Sequence, residues 1–133
     1  MKDLELHAVR ATGAPAAIGP YAQAVRCGGW LWCSGQIALD PDTGELVAGG
    51  VKEQAERCLR NLEAVLESAG ATFADVVKTT VYLTRLEDFS AFNEVYARFV
   101  GDPPPARATV AVAALPKGAL LEIDAVARLR DGD

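Results

Sequence analysis

Histidine is almost missing from this chain: His7 stands alone among 133 residues. The three cysteines, Cys27, Cys33 and Cys58, form no CxxC pair. Together these absences leave no transition-metal ligand set, and they leave a Ser–His–Asp triad improbable. His7 itself, near the start of the chain, reads as a surface residue. Basic charge is also short. Thirteen Lys and Arg stand against eighteen Asp and Glu, a net charge of −5. That is the wrong balance for a general nucleic-acid binder, which needs clustered cations against phosphate, although a local basic site stays open. No apolar run is long enough to span a membrane, and no signal peptide is recognisable. An odd number of unpaired cysteines fits a reducing, cytoplasmic location. GxGxxG, GxxxxGKS/T and GxSxG are all absent, so no dinucleotide, P-loop or nucleophile-elbow fingerprint exists. Neither a metal nor an organic cofactor is expected.

What is present suffices for a core. Half of the residues are apolar, and the length implies one domain over 1–133. Residues 3–9 alternate and read as an edge strand. Residues 12–23, TGAPAAIGPYAQ, carry Pro15, Gly19 and Pro20, which forbid a long helix or a central strand. This loop holds Ile18 and Tyr21 and is expected to pack against something. Tyr21 is either a packing plug or a site residue. Residues 24–37 read as a hairpin turning at Gly28-Gly29. That turn sets Cys27 against Trp30 and Cys33 against Ala24. The two thiols then point to opposite sides of the sheet, so no disulfide is expected. Ser34-Gly35 at the strand end is either an ordinary bulge or a place where backbone N–H groups meet an anion.

Residues 51–69 are the clearest helix, with Val51, Ala55, Cys58, Leu59, Leu62, Val65, Leu66 and Ala69 in one stripe and Gly70 as the stop. Residues 75–84 read as a strand. Val77, Thr79, Val81 and Leu83 share one face, and Lys78, Thr80, Tyr82 and Thr84 the other. Residues 88–100 read as a second amphipathic helix with Asp88 as N-cap and Asn93 bordering its aromatic stripe. The closing residues 131–133 read as a frayed tail.

The resulting order implies an α+β fold: a single mixed, mostly antiparallel six-stranded sheet with two helices on one face. Residues 108–115, ATVAVAAL, are small and apolar on both parities, the pattern of a strand buried on both sides. One domain has no further helix to supply the second cover, so a partner subunit is expected. Arg107 opens that stretch, and Glu122 lies in the apolar segment after the Pro116-Lys117-Gly118 turn. A buried charge is costly unless paired or used. A structural Arg–Glu pair and a functional site both fit these residues. If the turn closes a tight hairpin, Glu122 falls roughly 17 Å from Arg107. Then either the two strands are not adjacent partners, or the residues serve different sites or subunits.

The stretches APAAIGPYAQAV (14–25), CSGQI (33–37), DVVKTTVYL (75–83), PPARATV (104–110) and LPKGALLEIDAVA (115–127) occur in an order that resembles the RidA/YjgF family of small enamine/imine deaminases. The resemblance covers nearly the whole chain. It implies a chorismate-mutase-like fold and a homotrimer with sites in the clefts between subunits. It implies cofactor-free hydrolysis of 2-aminoacrylate, 2-iminopropanoate and similar 2-imino acids to 2-oxo acids and ammonia. It assigns carboxylate recognition to Arg107, water activation to Glu122, and lining contacts to Tyr21, Ser34, Gly35 and Asn93. Thr109, also counted among the substrate contacts, stands where many members carry cysteine, a departure that bears on redox regulation more than on hydrolysis. The implied partners are a small 2-imino acid and two further copies of the chain; the sequence itself offers no membrane span, and its acidic balance disfavours nucleic acid. The main rival reading is a non-catalytic ligand-binding or chaperone-like trimer of the same family; RNA cleavage, weakened by the acidic balance and lone histidine, and a chorismate-mutase activity, which fold alone does not support, are the further rivals.

Overall fold

The Gly28-Gly29 turn forms as its sequence predicts. Both glycines take positive φ, 60° and 96°, the backbone that a two-residue turn between twisted strands demands. The computed structural model describes residues 3–130. Residues 131–133, read above as a tail, lie outside the described residues. The turn joins β2 (Ala24–Cys27) to β3 (Trp30–Gln36), with Cys27 opposite Trp30 and Ala24 opposite Cys33. All three thiols are free. β1 (His7–Val9) pairs with β2 at one edge. With β4 (Val76–Leu83), β5 (Ala106–Ala111) and β6 (Leu121–Arg128), the sheet has six strands in the order β1-β2-β3-β6-β4-β5. Only the β4–β5 pair is parallel. This is the expected α+β architecture.

Helix α1 (Val51–Ser68) lays its apolar stripe on the sheet. Leu59, Leu62, Val65 and Leu66 join Leu31, Val81, Leu83, Leu121 and Ile123 in one core, all without exposed surface. Full burial of an aliphatic side chain is worth about 1.5–3 kcal/mol, so this layer decides which sheet face is covered. Helix α2 (Phe89–Tyr96) packs on the same face, where the Tyr96 and Thr79 hydroxyls meet at 2.7 Å. Two buried amides place the segments that carry the site. Asn61 Nδ2 donates to the carbonyls of Ile37 (3.3 Å) and Leu39 (2.9 Å), holding the chain as it leaves β3. Gln54 Oε1 accepts from the Leu120 N–H at 2.9 Å, just before β6 begins.

Three expectations change, and a fourth point left open is decided. First, Val77 does not share the core face of Thr79, Val81 and Leu83. The register shifts between Val76 and Lys78, Val76 turns inward, and Val77 is exposed; a bulge reverses side-chain parity on one side of it. Second, α2 ends at Tyr96, and Asp88 occupies the cap position without a side-chain bond. A 3-10 turn over Leu86–Asp88 feeds straight into the helix and leaves Asp88 with helical backbone angles. Third, residues 108–115 are not a strand buried on both sides in this chain. The strand covers Ala106–Ala111 and lies at the sheet edge, where Ala108, Val110 and Ala111 are exposed. Fourth, Pro116–Gly118 does not close a hairpin. β5 and β6 flank β4 on opposite sides, and the turn carries the chain across.

Candidate active site

Alternation along β6 decides where Glu122 points. Leu121, Ile123, Ala125 and Ala127 are buried under the helices, while Glu122, Asp124 and Val126 lie half-buried on the open face. The carboxylate of Glu122 rests directly over Gly35. A Cβ on Gly35 would run into Glu122 Oε2 and stand 2.8 Å from its Cδ. Gly35 sits in the bulge where the β3–β6 register shifts between Cys33 and Gln36. Burial pushes the Glu122 carboxyl above its usual value, and the charge of Asp124 adds in the same direction. The Tyr82 hydroxyl donates to Asp124 Oδ2 at 2.9 Å.

Ser34 adjoins this group, but its own donors are engaged. Its N–H donates to the Gln23 carbonyl at 3.0 Å and its Oγ donates to the Ala22 carbonyl at 2.6 Å. The register shift between Cys33 and Gln36 makes a bulge of Ser34-Gly35. Gln23, buried, organises the loop before it. Its Oε1 accepts from the Ala11 N–H (2.7 Å), and its Nε2 donates to the carbonyls of Ala11 (3.1 Å) and Pro15 (2.7 Å). The loop is therefore tied at its ends and free at its tip. Ile18 and Tyr21 are 76% and 55% exposed, so neither anchors the loop to the core and Tyr21 is no packing plug of this chain. Tyr21 instead lines a cleft of about 570 Å³ with Ser34, Gly35 and Glu122, and with Ile37, Leu39, Pro116 and Lys117.

Arg107 belongs to a second group. On β5 it pairs with Thr79, a residue of the helix face. Its Nη1 donates to Asn93 Oδ1 at 2.8 Å. Its guanidinium lies over the rings of Tyr96 (4.9 Å) and Phe89 (5.3 Å). Three positions of α2 thus hold one planar fork, with further N–H donors left for a carboxylate. Thr109 follows on the same face opposite Val81, and its buried Oγ1 has no hydrogen-bond partner among the described residues.

Arg107 and Glu122 do not meet in one chain. They lie opposite Thr79 and Tyr82 of β4, on either side of that strand. Three residues along and two strand spacings across put their Cα atoms roughly 14 Å apart. They also face opposite sides of the sheet, Arg107 toward α2 and Glu122 toward the open face. A direct Arg–Glu pair within one chain is therefore ruled out. The seven candidate residues divide into Tyr21, Ser34, Gly35 and Glu122 in the cleft, and Asn93, Arg107 and Thr109 beside α2. Sequence reading missed Ile37, Leu39 and Lys117 in the cleft, and Phe89 and Tyr96 under Arg107. The aromatic stripe was legible, but nothing local says which strand residue it carries.

The remaining titratable groups are structural or exposed. Burial pushes the Cys33 thiol up to about 12, with Asp124 adding to it, and burial raises Cys58 further. Both are inert as nucleophiles. Among the described residues, Asp3, Glu5 and His7 come together as possible metal donors, but all three are exposed and the His7 ring is engaged by Asp3.

Residues 11–129 match the family model described as endoribonuclease L-PSP. The chain is 50% identical over 119 residues to the 2-iminobutanoate/2-iminopropanoate deaminase of Mus musculus, covering 90% of this chain and 88% of the relative. It is 51% identical over 129 residues to protein DfrA of Myxococcus xanthus, covering 96% and 98%. Among solved structures, TdcF of E. coli with bound serine superposes with a TM-score of 0.86 at 42% identity, covering 92% of this chain and 98% of that one. No helix of the described residues is long and apolar enough to cross a membrane.

Proposed function

The chain belongs to the RidA/YjgF family, the family of the endoribonuclease L-PSP model, and from that premise we propose that it is a cofactor-independent hydrolase of 2-imino acids. The observation that carries this reading is the division of the candidate residues. A guanidinium preorganised for a carboxylate and a carboxylate suited to proton transfer sit on opposite faces of one chain. Each group is half of a site for a small molecule bearing both a carboxylate and an imine. A homotrimer, in which the open face and Glu122 cleft of one copy meet the β5 edge and Arg107 of the next, would join the halves. The bare β5 edge and its exposed Ala108, Val110 and Ala111 support such packing.

In that site Arg107 grips the substrate carboxylate, with Asn93 fixing the fork. The imine carbon is already electrophilic and needs only a held water and managed protons. Glu122 takes one proton from water as the water oxygen bonds to the carbon of the protonated imine and the C=N pair moves onto nitrogen, giving a neutral carbinolamine. The same carboxyl returns that proton to the nitrogen; as the C–N bond breaks, the regenerated carboxylate takes the hydroxyl proton, and a 2-oxo acid and ammonia leave, the last proton passing from Glu122 to ammonia as ammonium. The serine bound in TdcF is likewise a small carboxylate with nitrogen on the adjacent carbon. The net charge of −5 disfavours an RNA substrate.

Imines generated by an amino-acid oxidase or a serine/threonine dehydratase test the reading, with decay followed with and without this protein. Arg107→Ala and Glu122→Gln should each be inactive alone. Unfolded and refolded together in equal amounts, they should regain about a quarter of wild-type sites, since each mixed trimer rebuilds one intact cleft. No acceleration by the wild-type protein would favour the non-catalytic ligand-binding alternative. Activity without recovery in the mixture would place both residues in one chain's site, against the geometry.

A further inference from the structure

Glu122 has a carboxylate neighbour that the hydrolysis does not require. β6 alternation sets Asp124 two residues along on the same open face, about 6.5–7 Å away by strand rise. Tyr82, directly opposite Glu122 on β4, reaches diagonally past it and donates its hydroxyl to Asp124. The hydrogen bond fixes the direction of the Asp124 carboxylate.

We propose that Asp124, fastened by the Tyr82 hydroxyl, is the positioning residue that keeps Glu122 basic enough to take the proton of the attacking water; this rests on the hydrolase reading above. Every element around Glu122 bears on the point. β3 contributes Ser34 and Gly35, which carry no charge. The loop contributes Tyr21. The 116–118 turn contributes Lys117, whose Nζ donates to the Gly44 carbonyl at 3.3 Å. Helix α1 contributes Cys58, buried on the far side of the sheet and bonded weakly to the Leu121 carbonyl. Asp124 is the one full negative charge among them.

A second copy's Arg107, brought to the cleft in the proposed trimer, pulls the other way. It would leave Glu122 an easily ionised, weak base until the substrate carboxylate neutralises it. Asp124 opposes that pull at all times. Burial raises Glu122 first, and Asp124 adds to the same rise. The proton balance of the reaction is unchanged: Asp124 neither gains nor loses a proton, and only the ease with which Glu122 holds one is altered.

The test is a 13C titration of the Glu122 carboxyl in glutamate-labelled protein, assigned by its loss in Glu122→Gln, beside the kcat–pH profile. In Asp124→Asn the Glu122 midpoint and the acid limb of kcat should move together to lower pH. KM should stay within about twofold, because no substrate contact is removed. Tyr82→Phe should shift both in the same direction by less, and Asp124→Glu, which restores the charge, should return them toward wild type. A folded Asp124→Asn protein with the Glu122 midpoint unmoved overturns the proposal. So does a moved midpoint with an unmoved kcat profile. If Asp124→Asn does not fold, Tyr82→Phe decides, and an unmoved midpoint there counts against us. Wild-type kcat in Glu122→Gln, by contrast, would overturn the hydrolase mechanism itself, whatever the titration shows.

Discussion

Gly35→Ala isolates the role of Glu122 without touching it. Gly35 is exposed and has no positive φ, so alanine meets no backbone strain. The new methyl's three nearest atoms all belong to the Glu122 side chain: it would overlap Oε2, stand 2.8 Å from Cδ and 3.0 Å from Cγ. Carbon contacts are comfortable at about 3.5–4.0 Å, so the carboxylate must retreat by roughly 1 Å. It is the far end of a flexible side chain and can do so. Loss of backbone freedom in the unfolded state favours the variant by about 0.4–1 kcal/mol, which offsets the displaced contact, and the melt should move little. Catalysis should not be spared. A misplacement near 1 Å costs on the order of 10²-fold in rate, and it should appear in kcat. Steady-state kinetics on fresh 2-iminopropanoate, with thermal melts, measure both quantities. Glu122→Gln keeps the shape and removes the base, so adding Gly35→Ala to it should cost almost nothing more. Wild-type kcat in Gly35→Ala would refute the reasoning. A full additional hundredfold loss in the Glu122→Gln background would refute it too, since Gly35 would then act apart from the carboxylate.

Arg107→Lys keeps the charge but loses the fork held by Asn93 and the flat contact with Phe89 and Tyr96. KM should rise about 10- to 100-fold, matching the 1.5–3 kcal/mol of a hydrogen bond to a charged group, and activity should fall between wild type and Arg107→Ala. Glu122→Gln should be stabilised in a pH-dependent way. The native carboxyl is raised above the ordinary glutamate value of 4.5, so above that pH the native state binds more protons than the unfolded one. Wild-type stability then falls as pH climbs from 4.5 through the raised value. The melting advantage of the glutamine should open over that interval and be absent below it; a constant difference would contradict the sign. Thr109→Val removes a buried hydroxyl without a partner among the described residues, so stability should hold or rise by about 1 kcal/mol. Thr109→Cys should leave hydrolysis within about tenfold, an allowance of roughly 1.4 kcal/mol in barrier.

Local chemistry was enough for much of this molecule. The glycine pair at 28–29 determined the hairpin and its register, and hence the separation of Cys27 from Cys33, because a two-residue turn leaves one pairing open. The 3.6-residue stripe of α1 determined the helix and its buried side, because only one face could be taken from water. The motifs around Arg107 and Glu122 were legible as candidates because charges in apolar stretches need a reason. What no local pattern contained was long-range order. Strand adjacency decided that β4 stands between β5 and β6, and that the 116–118 turn crosses over rather than folding back. Parity in the assembled sheet then decided that Arg107 faces α2 and Glu122 the open side. The bulge at Val76–Lys78 reversed Val77 for the same reason: one extra residue flips a side chain, and only the pairing partner reveals it. Sequence spacing measures distance along a chain, whereas a site depends on which strands lie side by side and which face each residue turns outward.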